Sequence, residues 1–424
     1  MQVYVIGLGH IGLPMACFIA ISGKQVIGID NNPQVIKAVK NGSINIYEHY
    51  NGLHISKLAK KLIDQGKLTV TKNLRTIDQH PGVFIVSVGI KSSDDFKQDI
   101  SPIKEVMDTL VPQLKPGDLI IFRTTLIPGT IDEHVIPRLE SLNIPVYLAY
   151  CPETMAETQA FQELNNNPIV MAGKDEESFA KAKEFFNSIS DAPIHKASNI
   201  KTAELIKVVQ NISRDVEIAL VNEISVVAEA LKVDTYEVLN LSNTHPRVKL
   251  LQPGPGVGGY CLPNALVYLK HTLLKGKNTD IPLSLMEVAR KSNLDRPKKI
   301  VALIEQALKD VNKTLEKSCI AILGLAMKDN CADCRYSPAI DIAKMLTEKG
   351  AKVKGFDPVV GKKFPFQVDT LQECIVNSDC ILITAVQPGI EFDTDKIKDL
   401  MPTPLVVDTR NVFPGCKGIK VCKL

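Results

Sequence analysis

Short apolar runs alternate with segments of helical spacing through the first half of the chain. Residues 3–6 form an apolar run typical of a buried strand, and the apolar positions after residue 12 recur at helical spacing. The same succession predicts further strands at residues 25–29, 83–88, 119–122, 146–149 and 169–172, with helices at residues 101–114 and 178–186. Strands that alternate with helices favour a doubly wound parallel α/β sheet.

A long helical pattern then covers residues 201–231 without a break. At 3.6 residues per turn this is a helix of about eight turns. A helix of this length in a globular protein usually links domains or packs against a partner subunit, so we expect a homodimer formed through it.

The last third repeats the strand pattern of the first. Residues 319–324 read as a strand followed by glycine, and residues 350–358 echo residues 23–30. The sequence therefore predicts two Rossmann-like, doubly wound parallel-sheet domains joined by a central helical domain with one long helix. The predicted domains cover residues 1–198, 199–300 and 301–424.

Composition narrows the class of protein. The 424 residues are 45% hydrophobic and 23% charged, and the net charge of +3 includes no basic run that would indicate nucleic acid as a partner. No apolar run reaches the roughly 18 residues that span a bilayer, and no secretion signal precedes the first strand. The ten cysteines then indicate reduced thiols in the cytoplasm, and Cys331 with Cys334 lacks the second pair of a zinc site, so we expect no metal.

The first strand leads into a dinucleotide-binding turn. Gly7, Gly9 and Gly12 form Gly-x-Gly-x-x-Gly between a strand and a helix, which is the context that this motif requires. The next strand ends at Asp30, whose carboxylate can accept both ribose hydroxyls and would repel a 2′-phosphate. The turn therefore predicts NAD, and not NADP, as the cofactor.

Two glutamates follow the strand at residues 146–149. Glu153 and Glu157 lie where ligands bind in such sheets, beyond the carboxyl ends of the strands. Acids at this position also cap the following helix in many proteins. Catalytic and capping roles both stay open from the sequence.

A glycine-rich loop at residues 250–263 delivers a single thiol, that of Cys261. Its glycines and prolines are typical of a cradle for a ligand, and Cys261 precedes a helical pattern whose N-terminus would favour a thiolate. A small buried cysteine in a turn is the alternative. On the long helix, Lys207, Asn211 and Arg214 share one face, which is either a site or a solvated surface.

These motifs together resemble the UDP-glucose/GDP-mannose dehydrogenase family over nearly the full length. The resemblance is carried by residues 7–14, 124–130, 152–157, 204–216, 245–248, 253–261 and 328–338. Within the family, residues 245–261 are more similar to the branch that oxidises UDP-N-acetylhexosamines than to the UDP-glucose branch.

The resemblance implies a four-electron, NAD-dependent oxidation of a sugar C6 alcohol to a carboxylate, which would serve a surface polysaccharide. Cys261 would form a thiohemiacetal and then a thioester. The implied catalytic residues are Cys261, Lys207, Asn211, Glu153, Glu157 and Thr125. The implied cofactor-binding residues are Gly7, Gly9, His10, Ile11, Gly12, Asp30, Thr125 and Arg335. The implied UDP-sugar contacts are Lys207, Asn211, Arg214, His245, Arg247, Leu250, Gly258 and Lys328.

One departure from the family pattern bears on activity. The family commonly has an aspartate four residues after the cysteine, where this chain has Ala265. Two alternatives therefore stay open beside the UDP-N-acetylhexosamine enzyme. One is a UDP-glucose 6-dehydrogenase, and the other is a nucleotide-sugar-binding homologue with impaired catalysis.

Overall fold

The computed structural model describes residues 2–73, 80–92, 98–276, 280–361 and 364–424. The chain forms two compact units. The first contains Met1–Gln210 and Val267–Ile281, and the second contains Asn211–Leu266 and Pro282–Leu424.

The first unit is built on an eight-stranded sheet in the order β12-β11-β10-β9-β6-β1-β2-β5. The strands of this unit are β1 Val3–Ile6, β2 Val26–Ile29, β3 His49–Tyr50, β4 Leu53–His54, β5 Leu68–Thr71, β6 Val83–Val86, β7 Lys91–Ser92, β8 Gln98–Asp99, β9 Leu119–Phe122, β10 Tyr147–Tyr150, β11 Ile169–Gly173 and β12 Ile194–Lys196. Six of them, from β5 to β10 in the sheet, follow the order of a dinucleotide-binding fold. Only β11 runs antiparallel to its neighbour β10, so the predicted doubly wound sheet is confirmed.

Helices cover the sheet of the first unit. They are α1 Gly12–Ile21, α2 Pro33–Asn41, α3 Ile55–Asp64, α4 Ser101–Leu110, α5 Thr130–His134, α6 Ile136–Glu140, α7 Ala160–Asn166 and α8 Glu176–Asn187, with a 3₁₀ turn at Val111–Gln113. α1 is buried along nearly its whole length, because apolar residues occupy all of its faces. It therefore lies in the core, and its N-terminus is held at the crevice where the strand order reverses between β1 and β6.

The long central helix forms as the pattern predicts. α9 spans Ile200–Leu231, and α10 Thr235–Ser242 and α11 Cys261–Lys275 follow it. Cys261 is the first residue of α11, so the predicted helix after the glycine-rich loop begins at the thiol itself.

The second unit contains a parallel five-stranded sheet in the order β14-β13-β15-β16-β17. Its elements are α12 Ser284–Lys309, β13 Cys319–Leu323, α13 Pro338–Glu348, β14 Lys352–Phe356, α14 Leu371–Ile375, β15 Cys380–Ile383, α15 Thr394–Leu400, β16 Leu405–Asp408 and β17 Lys420–Lys423, with a 3₁₀ turn at Leu315–Lys317. The order corresponds to 2-1-3-4-5, the other common doubly wound arrangement. α12 runs across residue 300, where the sequence predicts a domain boundary.

Candidate active site

The glycine turn has the geometry that a bound diphosphate requires. Gly7 has a φ of +91°, and a Cβ on Gly12 would lie 1.7 Å from the Gly7 carbonyl oxygen. A Cβ on Gly9 would meet nothing within 4 Å, so the backbone there faces open space. α1 begins at Gly12, directly after this turn, and the N-terminus of a helix favours a bound anion. The residues present therefore fit the diphosphate of NAD.

Asp30 follows β2 and is hydrogen-bonded to the glycine turn. Its Oδ2 accepts a hydrogen bond from the backbone N–H of Leu8 at 2.8 Å, and its Oδ1 accepts one from Asn32 at 2.9 Å. Asp30 is only half-buried, so the carboxylate keeps capacity for a ligand hydroxyl.

The matching acid of the second sheet, Asp357, has a different role. It is 4% exposed, and its two oxygens accept hydrogen bonds from the backbone of Leu325, Ala326, Val359 and Val360. The side-chain amide of Gln387 donates a further bond at 3.0 Å. Asp357 therefore anchors two loops of the sheet and has little capacity for a ribose.

Glu153 and Glu157 lie on one loop after β10 but have different partners. Glu153 is 7% exposed and pairs with the guanidinium of Arg123, while its other oxygen accepts the N–H groups of Thr154 and Met155 at 2.7 and 2.8 Å. Glu157 contacts the imidazole Nδ1 of His10, on the glycine turn. The structure therefore brings Glu157 to the cofactor turn and engages Glu153 with its own loop.

Carboxylates that the sequence did not single out hold the rest of this loop. Buried Glu48 accepts hydrogen bonds from the N–H groups of Thr158 and Ala160, at 2.9 and 3.1 Å. Glu163 accepts one from Ala156. No sequence signal marks Glu48, because it lies more than a hundred residues away from the loop.

The segment that includes Thr125 is also tied to α9. The buried side chain of Glu204 accepts the N–H of Gly129 at 2.5 Å and that of Ile131 at 3.1 Å, at the start of α5. Burial raises the pKa of Glu204 to about 8. Thr125 itself is half-buried.

The three polar positions on α9 differ in exposure. Lys207 is half-buried, Asn211 is 5% exposed, and Arg214 is exposed. The predicted shared face follows from the continuous helix, since the spacings of four and three residues bring the positions onto one side.

In the second unit, Cys261 is an exposed free thiol. The sequence predicted that the glycines before it cradle a ligand, and the structure gives them a second reason, because the positions of their missing Cβ atoms are occupied by the protein itself. A Cβ on Gly258 would lie 2.5 Å from the carbonyl oxygen of Tyr336, and one on Gly259 would lie 2.2 Å from the sulfur of Met327. The glycines are needed because the loop packs directly on residues 327–336 of the protein itself.

That packing brings predicted site residues to the thiol loop. The N–H of Gly259 donates to the carbonyl oxygen of Arg335 at 2.9 Å, and the Arg335 guanidinium lies 5.8 Å from the ring centre of Tyr260. Arg335 also pairs with Asp333. Lys328 is exposed on the same segment.

Three more positions can be compared with the prediction. His245 and Arg247 are exposed in a loop that Asn243 closes, since its side chain bonds to both backbone groups of Leu250 at 3.0 and 2.6 Å. Ala265 is 2% exposed, one helical turn after Cys261.

Arg410, which the sequence did not single out, pairs with Asp329, and a Cβ on Gly254 would lie 3.2 Å from its Nη1.

Among the described residues, no group of three or more His, Cys, Asp and Glu side chains could hold a metal ion. Cys331 is fully buried beside Ala326 and Val360. None of the described helices combines the length and the apolar character needed to cross a membrane.

Two doubly wound α/β sheets, the first with a glycine turn that fits NAD, and a long central helix are the architecture of an NAD-dependent dehydrogenase. The chain belongs to the UDP-glucose/GDP-mannose dehydrogenase family, since it matches the family's NAD binding domain at residues 1–190, its central domain at 201–295 and its UDP binding domain at 321–415.

Several named proteins are similar over the whole chain. A UDP-N-acetyl-D-mannosamine dehydrogenase from Methanocaldococcus jannaschii is 33% identical, over 97% of this chain and 92% of its own. The structure of a UDP-D-ManNAc dehydrogenase from Pyrococcus horikoshii superposes with a TM-score of 0.89 at 32% identity, covering 100% and 99% of the two chains. The UDP-N-acetyl-mannosamine dehydrogenase of Staphylococcus aureus gives a TM-score of 0.84 at 28% identity, covering 100% and 98%.

Proposed function

We propose that this enzyme oxidises the C6 alcohol of UDP-N-acetylmannosamine to the uronic acid in two NAD-dependent steps, with Cys261 as the covalent nucleophile. The observation that carries the proposal is the exposed Cys261 thiol at the first residue of α11, on a loop packed against the UDP-binding domain. A helix N-terminus stabilises negative charge on such a sulfur. The acid would supply a surface polysaccharide.

The choice of sugar is supported by two observations. The relatives above that cover the whole chain are named as UDP-N-acetylmannosamine dehydrogenases. The loop closed by Asn243 leaves His245 and Arg247 exposed as hydrogen-bond donors for a nucleotide sugar. Lys207, Asn211, Arg214, Leu250, Gly258 and Lys328 complete the proposed substrate site.

The thiol has a definite task in a four-electron oxidation. Each oxidation would use NAD as the hydride acceptor for C6, and in the first the C6 hydroxyl also gives up its proton. After the first, Sγ of Cys261 bonds to the aldehyde carbon and the carbonyl oxygen takes a proton, which gives a thiohemiacetal. Loss of the second hydride from C6, together with the hydroxyl proton of the thiohemiacetal, gives a thioester. Attack of water then breaks the C–S bond and returns the thiolate.

The other side chains take complementary roles in this proposal. Lys207 and Asn211 stabilise the developing oxyanion, and Thr125 lies on the nicotinamide side. Glu157 activates water for hydrolysis, because both oxygens of Glu153 are already engaged by Arg123 and the loop backbone. Gly7, Gly9, His10, Ile11, Gly12 and Asp30 are the proposed NAD contacts of the glycine turn, and Arg335 is a further proposed NAD contact.

The decisive measurement is the number of NADH molecules formed per sugar. We expect two with UDP-N-acetylmannosamine, a lower rate with UDP-N-acetylglucosamine and UDP-glucose, and loss of turnover in Cys261→Ala. Cys416→Ala, which removes another partly exposed thiol, is the matched control and should keep wild-type activity. A preference for UDP-glucose would identify the enzyme as a UDP-glucose 6-dehydrogenase. Absence of turnover with all three sugars would contradict the proposal.

We also propose that the chain is a homodimer. Large apolar side chains are exposed on two helices of the second unit: Leu220, Val227 and Leu231 on α9, and Leu285 and Val288 on α12. We call these five residues the apolar face. Soluble monomers rarely leave a group of this size in water.

A further inference from the structure

Gly254, at the start of the thiol loop, is held through both of its backbone polar groups. Its N–H donates to the side-chain Oδ1 of Asn222 at 3.0 Å, and its carbonyl oxygen accepts from Nε of Arg296 at 3.0 Å. Asn222 is 2% exposed and Arg296 is 3% exposed. A buried backbone group that loses its partner is costly, so these two contacts fix the position of Gly254.

Arg296 is itself held in one orientation. Its Nη1 donates to the backbone carbonyl of Asn222 at 3.2 Å, and its Nη2 donates to Oγ of Ser225 at 2.9 Å. Burial lowers the pKa of Arg296 to about 10, which leaves the guanidinium charged at neutral pH. A planar fork with three fixed partners can hold a carbonyl in place in a way that a flexible ammonium cannot.

The loop between Gly254 and Cys261 has little freedom to absorb a displacement. A Cβ on Gly256 would lie 3.1 Å from the ring of Pro338 and 3.4 Å from that of Pro297, and Gly259 is tied to the Arg335 carbonyl. The segment is therefore packed along its length and fixed at both ends. A shift at Gly254 would reach the thiol through this segment, since Gly256, Gly258 and Gly259 all lie against other parts of the protein.

The same buried network reaches the turn of α9 that carries Arg214. Asn222 contacts Asn293 at 3.4 Å, Asn293 donates to the carboxylate of Asp215 at 2.9 Å, and Asp215 pairs with Arg290 at 2.8 Å. Residues of α12 thus join a proposed substrate-binding turn to the thiol loop. Arg296 is the member that contacts the loop with a charged side chain.

We propose that Arg296, with Asn222, is a positioning residue that holds the Cys261 thiol at the N-terminus of α11. The predicted effect on turnover rests on the proposed function. The anchoring of the loop can be measured whether or not the proposed function is correct.

The test compares Arg296→Lys with Ser225→Ala. Lysine keeps the charge but cannot reproduce the fork, so the Gly254 carbonyl loses its fixed donor. Ser225→Ala removes a partner of Arg296 and leaves both contacts to Gly254, so it controls for general weakening of the α9–α12 packing. Asn222→Ala removes the other anchor and should reproduce the effect of Arg296→Lys.

Three readouts are followed. In Arg296→Lys, we expect the amides of residues 251–260 to exchange hydrogen about tenfold faster, because the loop opens locally. Alkylation of Cys261 by iodoacetamide, measured on its peptide by mass spectrometry, should slow by about threefold or more, since the thiol leaves the helix N-terminus. With UDP-N-acetylmannosamine, kcat should fall about tenfold or more while the KM for NAD stays unchanged.

Unchanged loop exchange or unchanged alkylation in Arg296→Lys would overturn the inference, and so would an equal effect of Ser225→Ala. If the wild type turns over no UDP-sugar, the proposed function fails, while exchange and alkylation still decide the positioning role. If kcat stays at the wild-type value despite faster exchange, the loop does not position the thiol, and the inference fails while the function stands.

Discussion

At the scale of single residues, two glutamates on one loop show how local partners separate similar side chains. Glu153 and Glu157 are four residues apart, and the sequence gives both the same chemistry. Arg123, buried at the end of β9, pairs with Glu153 and not with Glu157. Both oxygens of Glu153 are therefore occupied by donors of the protein itself. The pair therefore favours Glu157 for proton transfer and Glu153 for holding the loop.

Glu204 is a residue whose burial predicts a pH dependence of stability. Its pKa is raised from 4.5 to about 8 in the folded protein, because burial penalises the charged form. The folded state therefore binds the proton more tightly than the unfolded state. The stabilising contribution is fully present below pH 4.5 and is lost as the pH rises through 8.

We therefore expect the urea midpoint of the wild type to fall from pH 5 to pH 8 more steeply than that of Glu204→Gln. A single such group changes the free energy of unfolding by at most about 1.4 kcal/mol per pH unit. Glu184→Gln, at an exposed position on α8, is the control and should keep the wild-type slope. Equal slopes for wild type and Glu204→Gln would refute the assignment.

At the scale of elements, the two sheets use one sequence pattern for two purposes. Asp30 and Asp357 both follow the second strand of their sheet, after glycine residues with φ of +93° at Gly23 and +89° at Gly350. Asp30 is half-buried beside an open glycine turn, whereas Asp357 is enclosed by its own loops. The position is shared, but only the first acid faces space for a nucleotide.

Isosteric substitutions should separate these purposes. We expect Asp30→Asn to raise the KM for NAD by about tenfold, because a charged acceptor for the ribose hydroxyls is lost. Asp357→Asn should leave that KM unchanged and destabilise the second unit by about 1–3 kcal/mol, since an amide N–H would face backbone donors. The measurements are NAD saturation kinetics and urea unfolding. A change of the NAD KM in Asp357→Asn would show that the second acid also serves the cofactor.

Strand and helix periodicity predicted most of the elements. Strands β1, β2, β6, β9, β10, β11, β13 and β14, the helices α9 and α11, and the glycine turn were visible in the sequence, whereas β5, β12 and β17 were not. α12 was not, because Arg290, Asn293 and Arg296 occupy buried positions and Pro297 lies inside the helix. From sequence, an arginine is expected at a solvent-exposed position and a proline at the end of a helix. The network behind the thiol loop was therefore hidden for the same reason that α12 was.

Glu48 was missed on similar grounds, and Glu204 was noted only within the family resemblance and not as a side chain that holds a loop. Glutamate is seldom fully buried, and no spacing rule links either side chain to the distant N–H groups that it binds. The glycines of residues 256–259 have a structural reason that the sequence did not show. Pro338, Tyr336 and Met327 lie where their Cβ atoms would be.

At the scale of the whole molecule, the homodimer that we expect in solution follows from the apolar face. Leu220, Val227 and Leu231 are 50%, 58% and 69% exposed, and their spacings of seven and four residues bring them onto one side of α9. Leu285 and Val288 on α12 are 71% and 63% exposed. Helices with such stripes bury them against another helix, and an isologous dimer buries the stripe against its own copy.

Light scattering should then give twice the chain mass of 46.5 kDa for the wild type. Val227→Glu places a charge within the apolar face, so we expect the dimer to dissociate, since burial of an unpaired carboxylate costs several kcal/mol. Lys183→Glu adds the same group at an exposed position on α8 of the first unit and should remain dimeric. A wild type that stays at 46.5 kDa at all concentrations would contradict the homodimer. A Val227→Glu variant that remains dimeric would contradict the assignment of the apolar face as the interface. The NADH yield of a monomeric Val227→Glu then shows whether the site of one chain is complete without its copy.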